Sequence, residues 1–300
     1  GTLGVGIIGA GFCASVLRLP QYFRFVPEAK VLGIASESGA TSEHLAKEWG
    51  VPFATNDWRQ LLKSNDIDVI DVTTPNYLHA IMTIESAEAG KQVIVEKPFA
   101  LNSKEAENMV RACEKAGVKL CYAENVTFAP SYAKAKDIAL GGGLGKVWGV
   151  RHREAHMGPH SIWFWDLKRS GGGVFMDMGC HSMEVIRTML GKPKSKSIIA
   201  HQSTQLHAVN IEDNSIAIVE FQNGSFGIAE SSWTQPSGMD DRLEIWGSRG
   251  RIEVNLLRTG LQVYTEKPRK YVIEKAGATV GWTFPVGDET FNYGYPHELR

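Results

Sequence analysis

Through the first 124 residues of this 300-residue chain, short β-branched apolar runs alternate with longer amphipathic segments. That rhythm predicts a parallel sheet covered by helices, because parallel strands are buried on both faces and need a crossover helix between them. The expected strands are Val5 to Ile8, Val31 to Ala35, Val69 to Thr73, Val93 to Glu96 and Lys119 to Tyr122. The expected helices are Ser42 to Trp49, Leu78 to Ala89 and Ser103 to Ala116, the last capped by Asn102. Gly90 and Gly117 stand where helices stop in a left-handed residue. From about Val126 the period changes. A helix is expected over Pro130 to Leu140, then period-two strands at Ser197 to His207, Ser215 to Phe221, Ser225 to Trp233, Arg242 to Trp246 and Arg251 to Asn255. Asn223-Gly224 reads as a hairpin turn between two of them, and Val174 to Leu190 as one helix. The fold class that follows is an α/β N-terminal domain with a doubly wound parallel sheet, residues 1–124. An α+β C-terminal domain with a large, mostly antiparallel open sheet follows it, residues 125–300.

Composition narrows the class of function. Lys plus Arg is 32 against Asp plus Glu 33, with no basic run, so neither nucleic acid nor an anionic membrane is an expected partner. No run approaches the roughly 18 apolar residues of a membrane span, and the N-terminal residues lack the pattern of a secretory signal. Cys13, Cys113, Cys121 and Cys180 form no C-x-x-C pair and no metal spacing, so free thiols, no resident metal and a cytoplasmic location are expected.

Strand Val5 to Ile8 runs into Gly9-Ala10-Gly11-Phe12-Cys13-Ala14, a G-x-G-x-x-A turn opening a helix. The first glycine permits the tight turn, the second lets a pyrophosphate approach the backbone, and the small third residue lets helix pack on strand. At the start of a βαβ alternation this pattern predicts a Rossmann dinucleotide site, with Gly9, Gly11, Phe12 and Cys13 at the pyrophosphate. The second strand ends in Ala35-Ser36-Glu37, with no Lys or Arg between Val31 and Ala46. A carboxylate at Glu37 would accept the ribose hydroxyls and repel a 2′-phosphate, which predicts NAD. NADP stays open, since Ser36 could hold a phosphate oxygen.

Val95-Glu96-Lys97-Pro98, downstream of that turn, resembles the glucose-fructose oxidoreductase, inositol dehydrogenase and rhizopine-catabolism (Gfo/Idh/MocA) family. Further matches run along the chain: Thr74-Pro75-Asn76 with His79, Ala123-Glu124-Asn125, Gly171-Gly172-Gly173 followed by Asp177, Gly179 and His181, and Gly247-Ser248-Arg249-Gly250. The resemblance implies hydride transfer between a nicotinamide and a hydroxyl-bearing carbon of a sugar, inositol or related polyol. It implies cofactor contacts from Thr74, Pro75, Asn76, His79, Glu96 and Lys97, and a homodimer or homotetramer packed through the exposed sheet face. It also implies a tail continuing beyond His297-Glu298-Leu299-Arg300.

Oxidising an alcohol requires a group to take the hydroxyl proton while the cofactor takes the hydride. Lys97, just past the carboxyl end of a parallel strand, is the expected polarising donor. Asp177 and His181, four apart on a helix, share one face, so the aspartate can set the imidazole tautomer and support His181 as general base. Asn125, His160, Trp163 and Trp165 are candidate substrate contacts, the rings because aromatic faces stack on sugars. An NAD-dependent glycoside hydrolase that oxidises a ring carbon transiently is the alternative enzyme; a non-catalytic dinucleotide sensor is disfavoured by the Lys97, Asp177 and His181 set.

Overall fold

A computed structural model describes residues 1–236, 238–257, 263–265, 281–283 and 289–300. The chain forms two compact units, Gly1–Glu124 with Lys168–Gly171 and Tyr295–Arg300, and Asn125–Leu167 with Gly172–Gly294. Two short segments beyond residue 124 thus pack with the first unit rather than the second.

The first unit holds six parallel strands, β1 (Leu3–Ile8), β2 (Ala29–Ala35), β3 (Phe53–Thr55), β4 (Val69–Val72), β5 (Gln92–Glu96) and β6 (Leu120–Ala123). Their order is β3-β2-β1-β4-β5-β6, the doubly wound arrangement whose connections reverse direction between the first and fourth strands. Five helices join them: α1 (Leu19–Phe25), α2 (Ala40–Trp49), α3 (Arg59–Leu62), α4 (His79–Glu88) and α5 (Ser103–Ala116). Alternate residues of β1 serve opposite faces. Ile7 packs with Ala14, Leu19, Ile34 and Leu45, while Ile8 packs with Leu61, Ile70, Met82 and Met109. Burying each such aliphatic side chain contributes about 1.5–3 kcal/mol, which is why the strands read as unbroken apolar runs. Asn102 caps α5 as expected, its side chain accepting the N–H of Glu105 at 3.0 Å, and Glu105 in turn accepts the Leu101 N–H at 3.2 Å. β3 and α3 were not expected; at three and four residues they are too short to show a period.

The second unit begins with α6 (Pro130–Leu140) and β7 (Val147–Ala155); α7 (Leu167–Ser170) then returns to the first unit. α8 (Cys180–Met189) and strands β8 (Ser195–Ser203), β9 (Asn214–Phe221), β10 (Phe226–Ser232), β11 (Asp240–Gly247) and β12 (Gly250–Asn255) follow. A strand pair, β13 (Val263–Thr265) with β14 (Gly281–Thr283), and two short helices, α9 (Glu289–Asn292) and α10 (Tyr295–Glu298), complete the described chain. The large sheet runs β12-β11-β7-β10-β9-β8 and is antiparallel except where β10 pairs with β7. The Asn223-Gly224 hairpin forms, with Phe221 N–H donating to Ser225 O at 2.9 Å. α8 covers one face of this sheet, and a Cβ on Gly227 would lie 2.3 Å from Ile186 Cγ2, so the glycine is what lets the helix approach β10.

Two expectations change here. β7 was missed because its inward positions carry His152 and Glu154 rather than apolar residues, both buried by hydrogen bonding to Ser182 and Tyr293. The expected single helix Val174 to Leu190 is not uniform: Phe175–Gly179 winds as a π-type turn before α8 begins. Among the described residues no helix is long and apolar enough to cross a membrane.

Candidate active site

In the first unit, the loops at the carboxyl ends of β1, β4 and β5 carry most of the expected cofactor residues. Gly9 ends β1 with φ +109°, and a Cβ there would sit 2.6 Å from the Thr73 carbonyl oxygen, so only glycine lets the β1 and β4 ends lie this close. A Cβ on Gly11 would meet nothing within 4 Å. Open space beside that backbone, at the start of the helical turn Cys13–Arg18, fits a pyrophosphate in close approach. Phe12 is exposed, and the Cys13 thiol donates to Glu96 Oε1 at 3.2 Å. Burial, and then the neighbouring Glu96 carboxylate, push that thiol well above the ordinary range, so it is a packed donor rather than a nucleophile. At the end of β2, the Ser36 hydroxyl accepts from Thr41 Oγ1 at 2.8 Å and Ser42 N–H at 3.0 Å, while Glu37 is exposed. Ser36 is thereby committed to opening α2.

The segment after β4 is rigidly built. Asn76 is buried, its amide donating to Ser170 O at 2.8 Å, and Thr74 Oγ1 lies 3.5 Å from Met82 Sδ. His79 was expected along the nicotinamide. Its ring is fully buried instead, with Nδ1 2.8 Å from Pro98 O and Nε2 2.9 Å from Thr74 O. Both nitrogens face backbone carbonyls, so the imidazole clamps the Thr74-Pro75 loop to the Lys97-Pro98 loop. Burial lowers its pKa, against the opposing pull of those carbonyls, and when neutral the ring donates its single N–H to one of them.

Lys97 follows β5 immediately, half-buried, its peptide bond to Pro98 cis. Glu96, the last residue of the strand, accepts the Lys97 N–H on Oε2 at 2.9 Å. Its other oxygen accepts from Arg18 Nη2 at 2.7 Å. Arg18 also pairs with Glu298 of α10 and lies 3.3 Å from Asp71 Oδ2, which accepts the Tyr22 hydroxyl at 2.9 Å. One buried cation thus meets three buried carboxylates. Burial raises the Asp71 carboxyl, and pushes Glu298 up to about 8, in both cases against the pull of Arg18. Sequence reading missed Arg18, Asp71 and Glu298. The available signals were an aspartate inside the apolar run Val69-Ile70-Asp71-Val72 and an arginine in the apolar stretch Val16-Leu17-Arg18-Leu19.

In the second unit, Asp177 lies in the π-type turn and His181 in the first turn of α8, both buried. Asp177 Oδ2 accepts the indole N–H of Trp233 at 3.0 Å. Trp233 was unforeseen; it packs edge-on to Phe164 and Trp165 at 5.7 Å from each ring centre. The aromatic candidates divide. Trp165 lies 5.1 Å from the His207 ring, Trp163 stacks on Phe164 at 4.0 Å, and the exposed His160 lies 4.8 Å from His156. Trp163 and Trp165, partly buried, pack with Phe164, Val174 and Met178 around Trp233. Asn125, by contrast, is buried and gives its amide N–H to Tyr293 O at 2.8 Å, tying the start of the unit to its end. Among the described residues no group of three or more His, Cys, Asp or Glu could hold a metal.

Comparison with known proteins agrees with this construction. Residues 3–124 match the family model described as "Oxidoreductase family, NAD-binding Rossmann fold", and residues 132–253 match the "GFO/IDH/MocA C-terminal domain". The chain is 30% identical to a scyllo-inositol 2-dehydrogenase (NAD(+)) of Bacillus subtilis, over 78% of this chain and 68% of that one. It is 28% identical to a levoglucosan dehydrogenase of Pseudarthrobacter phenanthrenivorans, over 85% and 74% respectively. The crystal structure of GenD2 from gentamicin A biosynthesis, in complex with NAD, superposes with a TM-score of 0.92 at 28% identity, covering 99% of this chain and 84% of that one. With both family domains in order and their motifs in place, the chain belongs to the Gfo/Idh/MocA oxidoreductases and carries their NAD-binding Rossmann fold.

Proposed function

We propose that this protein is an NAD-dependent dehydrogenase of a sugar, inositol or related polyol, moving a hydride between the nicotinamide and a carbinol carbon. The observation that carries the reading is the placement of Lys97 at the carboxyl end of β5, one strand out from the β1/β4 reversal, in a chain of this family. The matched relatives are named for inositol and levoglucosan, and no observation favours the glycoside hydrolase alternative. NAD, when bound, supplies the hydride acceptor. Gly9, Gly11, Phe12 and Cys13 hold the pyrophosphate, Glu37 takes the ribose hydroxyls and disfavours NADP, and Thr74, Pro75 and Asn76 border the nicotinamide. His79 and Glu96 act on the cofactor side by fixing these loops. Lys97 donates to the substrate oxygen where negative charge develops, and His181, oriented by Asp177, takes the hydroxyl proton. Trp163, Trp165 and His160 offer stacking and polar contacts to the polyol, and Asn125 is a further candidate contact. Self-association through the uncovered sheet face into a dimer or tetramer is part of the reading, supported by exposed Trp148, Ile199, Ile216 and Ile218 on β7 to β9.

The test is a panel of inositols, aldoses and anhydrosugars with NAD and NADP, followed at 340 nm. NAD-linked turnover that falls on the order of 10² to 10⁴ in both Lys97→Met and His181→Ala supports the assignment. Wild-type kcat in either variant, or cleavage of a glycoside without net NADH, overturns it.

A further inference from the structure

We propose that Arg18 is a positioning residue for Lys97, acting through the Glu96 carboxylate; the inference rests on the reading of Lys97 as the polarising donor. The guanidinium is fully buried and each edge meets a different acid: Nη2 donates to Glu96 Oε1 at 2.7 Å, Nη1 to Glu298, and Nε faces Asp71 Oδ2 at 3.3 Å. A planar fork gripped on three sides cannot turn without losing a partner. Glu96 is gripped in turn, because Oε1 also accepts the Cys13 thiol while Oε2 accepts the Lys97 backbone N–H at 2.9 Å. The side chain of the last strand residue therefore reaches forward and holds the first peptide beyond the strand, and Arg18 fixes that reach. The same carboxylate joins the helical turn after Gly11 to the lysine loop, so the two loops keep one relative position.

Burying a guanidinium among three acidic side chains is a costly way to fill a core. Desolvating each ion costs several kcal/mol, and apolar residues of the same volume often stabilise as well or better. Stability alone therefore does not account for the cluster, whereas its place directly behind the Lys97 peptide does. A displacement of about 1 Å at a reacting group can cost on the order of 10²-fold in rate, and the cluster opposes that displacement.

The test is a double-mutant cycle read by kcat, NAD affinity and amide exchange. Arg18→Lys keeps the buried charge but cannot serve three carboxylates; Glu96→Gln keeps the shape and provides a second variant should the first fold poorly. Either change should lower kcat about 10- to 100-fold on the polyol oxidised fastest by the wild type, with NAD affinity changed less than about threefold in Arg18→Lys. In a Lys97→Met background the same changes should cost less than about twofold. In the free protein the Lys97 amide should exchange faster while those of Val93 and Val95 do not. Equal losses in both backgrounds, unchanged kcat, or unchanged exchange at Lys97 would overturn the proposal. Wild-type kcat in Lys97→Met alone would instead remove the reading on which it rests.

Discussion

The indole N–H of Trp233 donates to the Asp177 carboxylate at 3.0 Å, with both side chains buried in the second unit. A hydrogen bond to a charged group contributes about 1.5–3 kcal/mol, so this contact anchors the acid proposed to orient His181. Trp233→Phe keeps a ring against Phe164 and Trp165 but removes the donor. We expect a stability loss of about 1.5–3 kcal/mol from the lost bond, measured as a lower urea midpoint. The loss should shrink in an Asp177→Asn background; an equal loss there would mean that only ring packing matters.

The two glycines of the dinucleotide turn should fail differently. Gly9→Ala places a methyl 2.6 Å from the Thr73 carbonyl at φ +109°, and should destabilise the protein by several kcal/mol or prevent folding, on the order expected for overpacking plus backbone strain. Gly11→Ala meets nothing within 4 Å, so its thermal midpoint should stay near wild type while its NAD affinity falls at least about tenfold, the methyl occupying the space of the pyrophosphate. Calorimetry with and without NAD separates the cases, and unchanged affinity in Gly11→Ala would displace the pyrophosphate from this turn.

His79 lies between two carbonyls and, when neutral, donates to one of them, which His79→Leu leaves without its donor. With a buried unsatisfied group costing about 1–3 kcal/mol, we expect about 1–3 kcal/mol of destabilisation by denaturant titration. Burial holds the folded-state pKa below the ordinary value. The stability linked to this group is therefore complete above about pH 6.5, the unfolded value, and is lost as pH falls through the lower folded value. His79→Leu should lack that acid-side loss; an identical acid slope in the variant would show that the ring does not titrate as described.

Glu298 gives the opposite sign. Burial beside Glu96 and Glu124 pushes its folded-state pKa up to about 8, despite Arg18, from an ordinary 4.5. Its contribution is complete below the unfolded value and is lost as pH rises toward 8, with a limiting slope of about 1.4 kcal/mol per pH unit. Glu298→Gln, which mimics the protonated form, should flatten this part of the profile and be the more stable protein at pH 9. Parallel profiles for variant and wild type between pH 5 and 8 would contradict the shift.

The hydrophobic periods and glycine positions of the sequence determined the doubly wound sheet, the mostly antiparallel second sheet, the cap at Asn102, the dinucleotide turn and the Glu96-Lys97-Pro98 strand end, because each depends on local propensity and spacing. They did not reveal β7, whose inward His152 and Glu154 break the apolar period and hydrogen-bond to Ser182 and Tyr293, distant in sequence. His79 could be placed next to the right loop, but not recognised as a clamp, since its partners are carbonyls that carry no residue identity. Trp233 behind Asp177, and Asp71 and Glu298 around Arg18, were equally hidden: they lie 56, 53 and 280 residues from their partners. A charge becomes buried and paired only when separate strands and helices close around it, and that was decided by tertiary packing.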